Sequence, residues 1–408
     1  MSSSPISGNA SFSSEWSALL ECASPARDLQ KLASLLRSTD GNRLLVLAGE
    51  HGVIGHLAGC LRKLDEDSVP PGIRQTLADR QRAQVFFSLR LTAELFRLLE
   101  LFSSQGIGAL VVKGPVLAVQ AYSDPAMRSY GDLDMLVRQC DIRRATELMS
   151  AAGYAPTVSL TTIDAGKIPG QYLFSKPDSK IIVELHNDHT LRYFPRRLPL
   201  EEFFARQIRV RVDGHDTPAL SMEDELVLIC IHGAKHFWER LMWIADVAAL
   251  TSRQTAINWE RVADSAKAVG AERMLHTGLR LASDLLKTQL PGKVQAAMQA
   301  DVVAAHLSKQ CCKWLPAAGQ APPGLFERAV FRLRMRGDLI SAPAYLLRLS
   351  LSPTEEDWQK AWVAYERNEG GLAGIVDQVS FSVMRRLGIS KAFTNDRHYA
   401  SSGFEMLF

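Results

Sequence analysis

Asp132 and Asp134 stand two residues apart in the segment Gly131-Asp-Leu-Asp-Met-Leu-Val137. In a strand, alternate side chains share a face, so both carboxylates project to one side, about 6.5 Å apart, while Leu133 and Met135 go to the other. Like charges placed this way oppose each other's ionisation unless a cation lies between them. Oxygen ligands of this kind suit Mg²⁺ or Mn²⁺. A pair of such ions roughly 3.5–4 Å apart can bind a triphosphate, activate an attacking hydroxyl and stabilise a leaving pyrophosphate. That chemistry calls for a third acid, and Glu184 in Ile181-Ile-Val-Glu-Leu-His186 fits. It lies in an apolar strand, shares a face with Ile182 and His186, and can serve as metal ligand or as base towards an acceptor.

Other residue types around this trio suit phosphate. Lys113 ends an apolar run and precedes Gly114-Pro115 and a helical stretch, so an ammonium and free helix N–H groups meet at one place. A solvated lysine is the alternative. Arg128, four residues before Asp132, suits a triphosphate or an ion pair with Asp124 or another carboxylate. Further on, His232, His236, Trp243 and Asp246 fall at spacings of three, four and seven, which one helix would bring to one face. The HxxxH spacing can hold zinc, but the metalloprotease form needs Glu where Gly233 stands. Such a face also suits a packed polar network, or a contribution of Lys235, His236 or Arg240 to a ligand pocket.

The elements that must position these residues follow from periodicity. Residues 15–106 read as a helical region whose last member runs from Gly72 to Leu101, with Ala83, Phe86, Leu89, Leu91, Leu95 and Leu98 as its apolar stripe and Gly106 as its end. Strand Ala109–Val112, a helix Val116–Tyr122, strand Leu133–Val137, and a helix Ile142–Ala152 with Asp141 as N-cap and Gly153 at its end come next. Gln171–Phe174 and Lys180–His186 read as strands joined by the turn Lys176-Pro177-Asp178-Ser179. The expected core, residues 107–217, is a mixed sheet with helices on one side. Ser221-Met-Glu-Asp224 is a capping box opening a helical segment to about Leu250, and residues 218–408 read as a C-terminal helical region. Residues 1–14 read as a flexible tail, and a polar tail near Gly403 as mobile.

Composition excludes other classes. With 408 residues, 47% hydrophobic and 22% charged, the chain is long enough for two or three structural units and is not disordered. A net charge of +3 is too balanced for an extended nucleic-acid surface. No apolar run approaches the roughly 18 residues that span a bilayer, and six cysteines without CxxC spacing fit a reducing, cytoplasmic setting.

The runs Val112-Lys113-Gly114, Tyr122-Ser-Asp-Pro125, Arg128-Ser-Tyr-Gly-Asp132-Leu-Asp134 and Glu184-Leu-His186 together resemble the uncharacterised bacterial nucleotidyltransferase family of the DNA polymerase beta-like superfamily. The resemblance covers about residues 80 to 250, includes the stretch from Ile231 to Asp246, and is specific around the two aspartates. It implies an α+β fold, a small mixed-sheet nucleotidyltransferase core flanked by N- and C-terminal helical regions. It also implies Asp132, Asp134 and Glu184 as catalytic metal ligands for Mg²⁺ or Mn²⁺. Lys113, Gly114, Arg128, His186 and His236 would face the nucleotide. The implied reaction transfers an NMP from an NTP, ATP among them, to an unknown acceptor: a small molecule, sugar, peptide or RNA end. The chain departs from the superfamily in its turn, Lys-Gly-Pro instead of Gly-Ser or Gly-Gly, and in a longer interval to the aspartates. That departure motivates a second expectation, a nucleotide-binding or regulatory protein of the same fold without turnover. A third is a zinc hydrolase centred on His232 and His236.

Overall fold

The computed structural model describes residues 13–70, 72–157, 170–176, 179–188, 198–253, 257–315, 324–336, 355–367, 369, 373–392, 394 and 397–407. Residues 1–12 of the expected tail, and Pro177 and Asp178 of the expected turn, lie outside the described residues. The chain forms two compact units, Met1–Gly337 and Asp338–Phe408.

The first unit begins with five helices: α1 (Ser14–Ala23), α2 (Leu29–Leu36), α3 (Gly41–Glu50), α4 (Ile54–Leu61) and α5 (Ile73–Ser104). Side chains that can accept from free N–H groups start the first three: Ser13 accepts from Trp16, Asp28 from Gln30 and Lys31, and Asp40 from Asn42 and Arg43. The end of α5 at Gly106 is as expected, with Ile107 N–H donating back to the Phe102 carbonyl at 2.9 Å. Its apolar stripe needs correction. Leu91, Leu95, Leu98 and Phe102 are fully buried, but Phe86 is 68% and Leu89 50% exposed. At 100° per residue those two lie nearly opposite the buried stripe.

Next come β1 (Ala109–Val112), α6 (Gly114–Ala121), β2 (Leu133–Val137), α7 (Ile142–Ala151), β3 (Ala155–Pro156), β4 (Gln171–Lys176), β5 (Ile181–His186), α8 (Leu200–Ala205), β6 (Ile208–Val212) and β7 (His215–Ala219). The strands form one seven-stranded mixed sheet in the order β3-β4-β5-β2-β1-β7-β6. The β6–β7 hairpin was legible but not expected. Alternation in Ile208-Arg-Val-Arg-Val212 leads into Asp213-Gly214, and both turn residues have positive φ, 45° and 85°, as a type I′ turn requires. Asp141 occupies the N-cap of α7 but makes no capping hydrogen bond. It closes a preceding 3₁₀ turn and its backbone is already helical.

The sheet is covered on both faces, not one. Val111, Leu133, Met135, Val137, Val183 and Leu185 pack towards α5 and α7 in one core. On the other face Leu110, Val112 and Leu136 join a larger core shared by the N-terminal helices and those after the sheet. Burial on both faces explains why β1 and β2 are continuously apolar apart from Asp134.

The expected single helix after Ser221 is two: α9 (Met222–Lys235) and α10 (Leu241–Thr251). Ser221 caps α9 as expected, accepting from Asp224 N–H at 3.2 Å. The break falls at Phe237 and Trp238, with φ of 57° and 55°, a conformation that costs a non-glycine residue roughly 1–2 kcal/mol. Burial of the Trp238 indole, fully enclosed, offsets that cost. The ring lies against Gly233 and Gly278, where an added Cβ would come within 2.5 and 2.7 Å of it. Among the described residues five more helices follow: α11 (Trp259–Val269), α12 (Glu272–Leu286), α13 (Gly292–Ala300), α14 (Val302–Trp314) and α15 (Leu325–Met335).

The second unit holds α16 (Glu355–Glu366), α17 (Ile375–Arg386), β8 (Lys391–Ala392), α18 (Arg397–Ser401) and β9 (Glu405–Met406). In its C-terminal segment, where a mobile tail was expected, Phe404 packs on Phe381 and β9 pairs with β8. No helix of the described residues is long and apolar enough to cross a membrane.

The Trp238 slot makes a direct prediction. Gly233→Ala destabilises the first unit by about 2 kcal/mol or more, read as a lower urea midpoint of tryptophan fluorescence. Gly292→Ala, where a Cβ meets nothing within 4 Å, leaves the midpoint in place. Equal midpoints for both variants would remove the packing explanation for the helix break.

Candidate active site

Strand pairing places the acids. β2 and β5 run parallel with Asp134 opposite Glu184 and Leu136 opposite His186, while antiparallel β1 sets Val112 opposite Asp134. Asp134, Glu184 and His186 therefore share one sheet face, and one ligand atom from each lies within 4.8 Å of the others. His186 Nε2 is 2.8 Å from Asp134 Oδ1 and 3.4 Å from Glu184 Oε2. Asp132 lies one residue ahead of β2, half-buried, and is not in that close group.

Beside the acids, β1 ends in a strained turn. Lys113 has φ 56° and ψ −133°, a sparsely populated conformation for a residue with a Cβ. Groups far along the chain hold it. Lys113 N–H donates to Glu225 Oε1 of α9 at 2.8 Å, and Arg128 Nη1 donates to the Gly114 carbonyl at 3.2 Å. Lys113 Nζ pairs with Asp134 Oδ2 at 3.0 Å and lies 3.3 Å from His232 Nδ1. An ammonium only donates, so His232 Nδ1 accepts and its ring is the neutral Nε2–H tautomer.

Charge follows this geometry. Burial alone would raise Asp134, but the Lys113 ammonium and the His186 hydrogen bond hold it well below the usual carboxylate range. Glu184 is lowered, burial being outweighed by His186, and His186 is raised against burial by Asp134 and Glu184. Asp132 is pushed up to about 6, by burial first and then by Asp134. Glu225 goes further, to about 7, because it is buried and its Oε2 has no partner among the described residues. Burial first, then Lys113, holds His232 well below the ordinary imidazole range.

Arg128 is 4% exposed. Its Nε reaches both Asp246 oxygens, at 3.0 and 3.1 Å, and Tyr122 OH donates to Asp246 Oδ1 at 2.8 Å. Asp246 thus belongs to a buried ion pair beneath the turn. The histidines expected to share a face with it cluster instead with Trp243: His232 to His236 is 4.7 Å between centroids, and the tryptophan ring is 5.2 and 5.3 Å from them. His236 caps the end of α9 and is depressed to about 3, chiefly by burial.

Lys113, Asp134 and His186 form the polar side of a cavity whose apolar wall includes Leu136, Leu228 and Ile231. Lys235, also on its lining, donates to Gln171 Oε1 at 3.1 Å. Sequence reasoning did not single out Glu225 or Gln171. Glu225 reads as one of three acids in a helix's first turn, and Gln171 as an ordinary strand residue.

The site is thus a mixed sheet bearing acids in register on two parallel strands, beside a strained Lys-Gly turn and a cavity. The family model described as "Uncharacterised nucleotidyltransferase" matches residues 37–287, more than half of the chain, and the chain belongs to that family. It is also similar to an antigenic nucleotidyltransferase-like protein from Paracoccidioides brasiliensis, at 14% identity and a TM-score of 0.30, over 53% of this chain and 92% of that one. No curated protein matches.

Glu225 gives the site a pH signature. Its folded pKa of about 7 exceeds the ordinary 4.5. The stability it contributes is therefore complete below about pH 4.5 and is lost as pH rises through 7, by on the order of 3 kcal/mol. Glu225→Gln keeps an oxygen for Lys113 N–H and removes this dependence. Urea unfolding of both proteins at pH 5 and pH 8 measures it: the variant gains on the wild type at pH 8. An unchanged difference between the two pH values contradicts a neutral buried Glu225.

Proposed function

We propose that this protein transfers a nucleoside monophosphate from an NTP to a hydroxyl or phosphate oxygen of an acceptor. The acceptor oxygen forms a bond to the α-phosphorus and gives up any proton it carries to solvent. The bond from that phosphorus to the bridging oxygen breaks, and pyrophosphate leaves. The observation that carries this reading is the register of Asp134 with Glu184 on adjacent strands, with Asp132 next in line and a cavity on the same face.

In this reading Asp132, Asp134 and Glu184 hold the divalent cations, Mg²⁺ or Mn²⁺. The donor set fits, since Asp134 and Glu184 converge beside Lys113 and His186, with Asp132 two residues ahead of Asp134. Bound cations would supply charge neutralisation of the triphosphate and of the leaving pyrophosphate. Gly114 and Lys113 face the phosphates, while Arg128 acts from beneath by fixing the Gly114 carbonyl. His186 lines the nucleotide side, His236 contributes through its stack on His232, and ATP is one of the NTPs to test. The acceptor enters over the apolar wall formed by α9. The six cysteines are free thiols, which supports a reducing, cytoplasmic setting.

One observation favours a second reading, a nucleotide binder without turnover. Lys113 N–H is engaged by Glu225 and Nζ by Asp134, so the turn reaches phosphate only by exchanging partners.

Incubation with Mg²⁺, each α-labelled NTP and cell extract as acceptor source separates the two. The wild type releases pyrophosphate and transfers label, and Asp132→Ala and Asp134→Ala each lose about a hundredfold or more. Equal label transfer and pyrophosphate release in all three proteins removes the catalytic assignment. Nucleotide binding without pyrophosphate release by the wild type supports the pure binder.

A further inference from the structure

We infer that His186 is a metal ligand and that it makes the Asp134–Glu184 site select a first-row transition divalent cation, Mn²⁺, over Mg²⁺. This rests on the reading of the acids as a metal site and adds what that reading does not contain, a nitrogen donor and the selectivity it brings.

Three observations support it. First, register places His186 two residues beyond Glu184 on the same face of β5, with Leu136 as its partner on β2. Its Nε2 sits 2.8 Å from Asp134 Oδ1 and 3.4 Å from Glu184 Oε2, the compact group of one nitrogen and two carboxylates. An ion that takes one oxygen from each acid therefore has imidazole nitrogen within reach.

Second, the other oxygen of Asp134 is taken. Oδ2 pairs with Lys113 Nζ at 3.0 Å, so one of the two negative charges is already balanced within the protein. A hard ion such as Mg²⁺, held mainly by charge and oxygen ligands and reluctant to shed water, gains less from such a site. An ion with affinity for nitrogen gains from the imidazole whatever the local charge.

Third, another imidazole beside the site, His232, turns Nδ1 to Lys113 Nζ at 3.3 Å and stacks in the His236 and Trp243 cluster. Among the described residues, His186 is the imidazole grouped with the two acids, so the nitrogen signal is expected from it.

The test uses full-length protein and MnCl₂ alone, without nucleotide. Free Mn²⁺ is counted by its electron paramagnetic resonance signal, and Mg²⁺ binding is measured by competition. Nitrogen hyperfine coupling is read by pulsed resonance on the bound ion. The wild type should bind Mn²⁺ about tenfold or more tighter than Mg²⁺ and show nitrogen coupling. His186→Gln should lose the coupling and weaken Mn²⁺ about 10- to 100-fold, with Mg²⁺ changed less than about threefold. His232→Gln should keep the coupling, which assigns the nitrogen even where His186→Gln fails to fold. Bound Mn²⁺ without nitrogen coupling in the wild type, or coupling lost in His232→Gln and kept in His186→Gln, overturns the inference. Those results leave nucleotidyl transfer in Mg²⁺ untouched. Conversely, nitrogen-coupled Mn²⁺ with no pyrophosphate release sinks the transferase reading and leaves the ligand assignment standing.

Discussion

Carboxylates gathered on one buried sheet face are the constraint around which this molecule is organised. The parallel register of β2 and β5 sets Asp134 directly beside Glu184, and burial removes the water that would screen them. The structure answers with nitrogen groups at bonding distance: the Lys113 ammonium on one oxygen of Asp134 and the His186 imidazole on the other. Every other feature of the site either supplies those groups or keeps them in place.

The helices that follow the sheet are part of that support. Glu225 from α9 takes the N–H of Lys113, and Asp246 from α10 holds Arg128, which in turn holds the Gly114 carbonyl. Two carboxylates from outside the sheet thus maintain a backbone conformation that Lys113 would not adopt unaided. The break between α9 and α10 lets both acids approach the turn, and it exists because Trp238 is enclosed between Gly233 and Gly278. The family match, from residue 37 to residue 287, spans the helices on both sides of the sheet and is consistent with one cooperative unit.

Much of this was legible from residue types at short range. Alternation with period two put Asp134 on one face of a strand and Glu184 with His186 on one face of another, whereas Asp132, expected on the strand with Asp134, precedes it. Like-charge repulsion then demanded cations. The helix end at Gly106 and the Ser221 cap were equally local. The β6–β7 hairpin carried a readable Asp213-Gly214 signal. The exposed side of α5 was harder, since Phe86 and Leu89 are apolar and only the tertiary arrangement shows that nothing described covers them.

What the sequence by itself determined is the set of candidate acids and the strands on which Asp134, Glu184 and His186 lie, because those depend on spacings of two to four residues. What only the tertiary structure decided is which partners they meet. Arg128 finds Asp246 across 118 positions and Lys113 finds Glu225 across 112, pairings that arise from packing two helices against a sheet. The same packing covers the second sheet face and turns one expected helix into two. It also sets the His186 imidazole against Asp134, a pairing that rests on the register of β2 with β5, which no short-range spacing encodes.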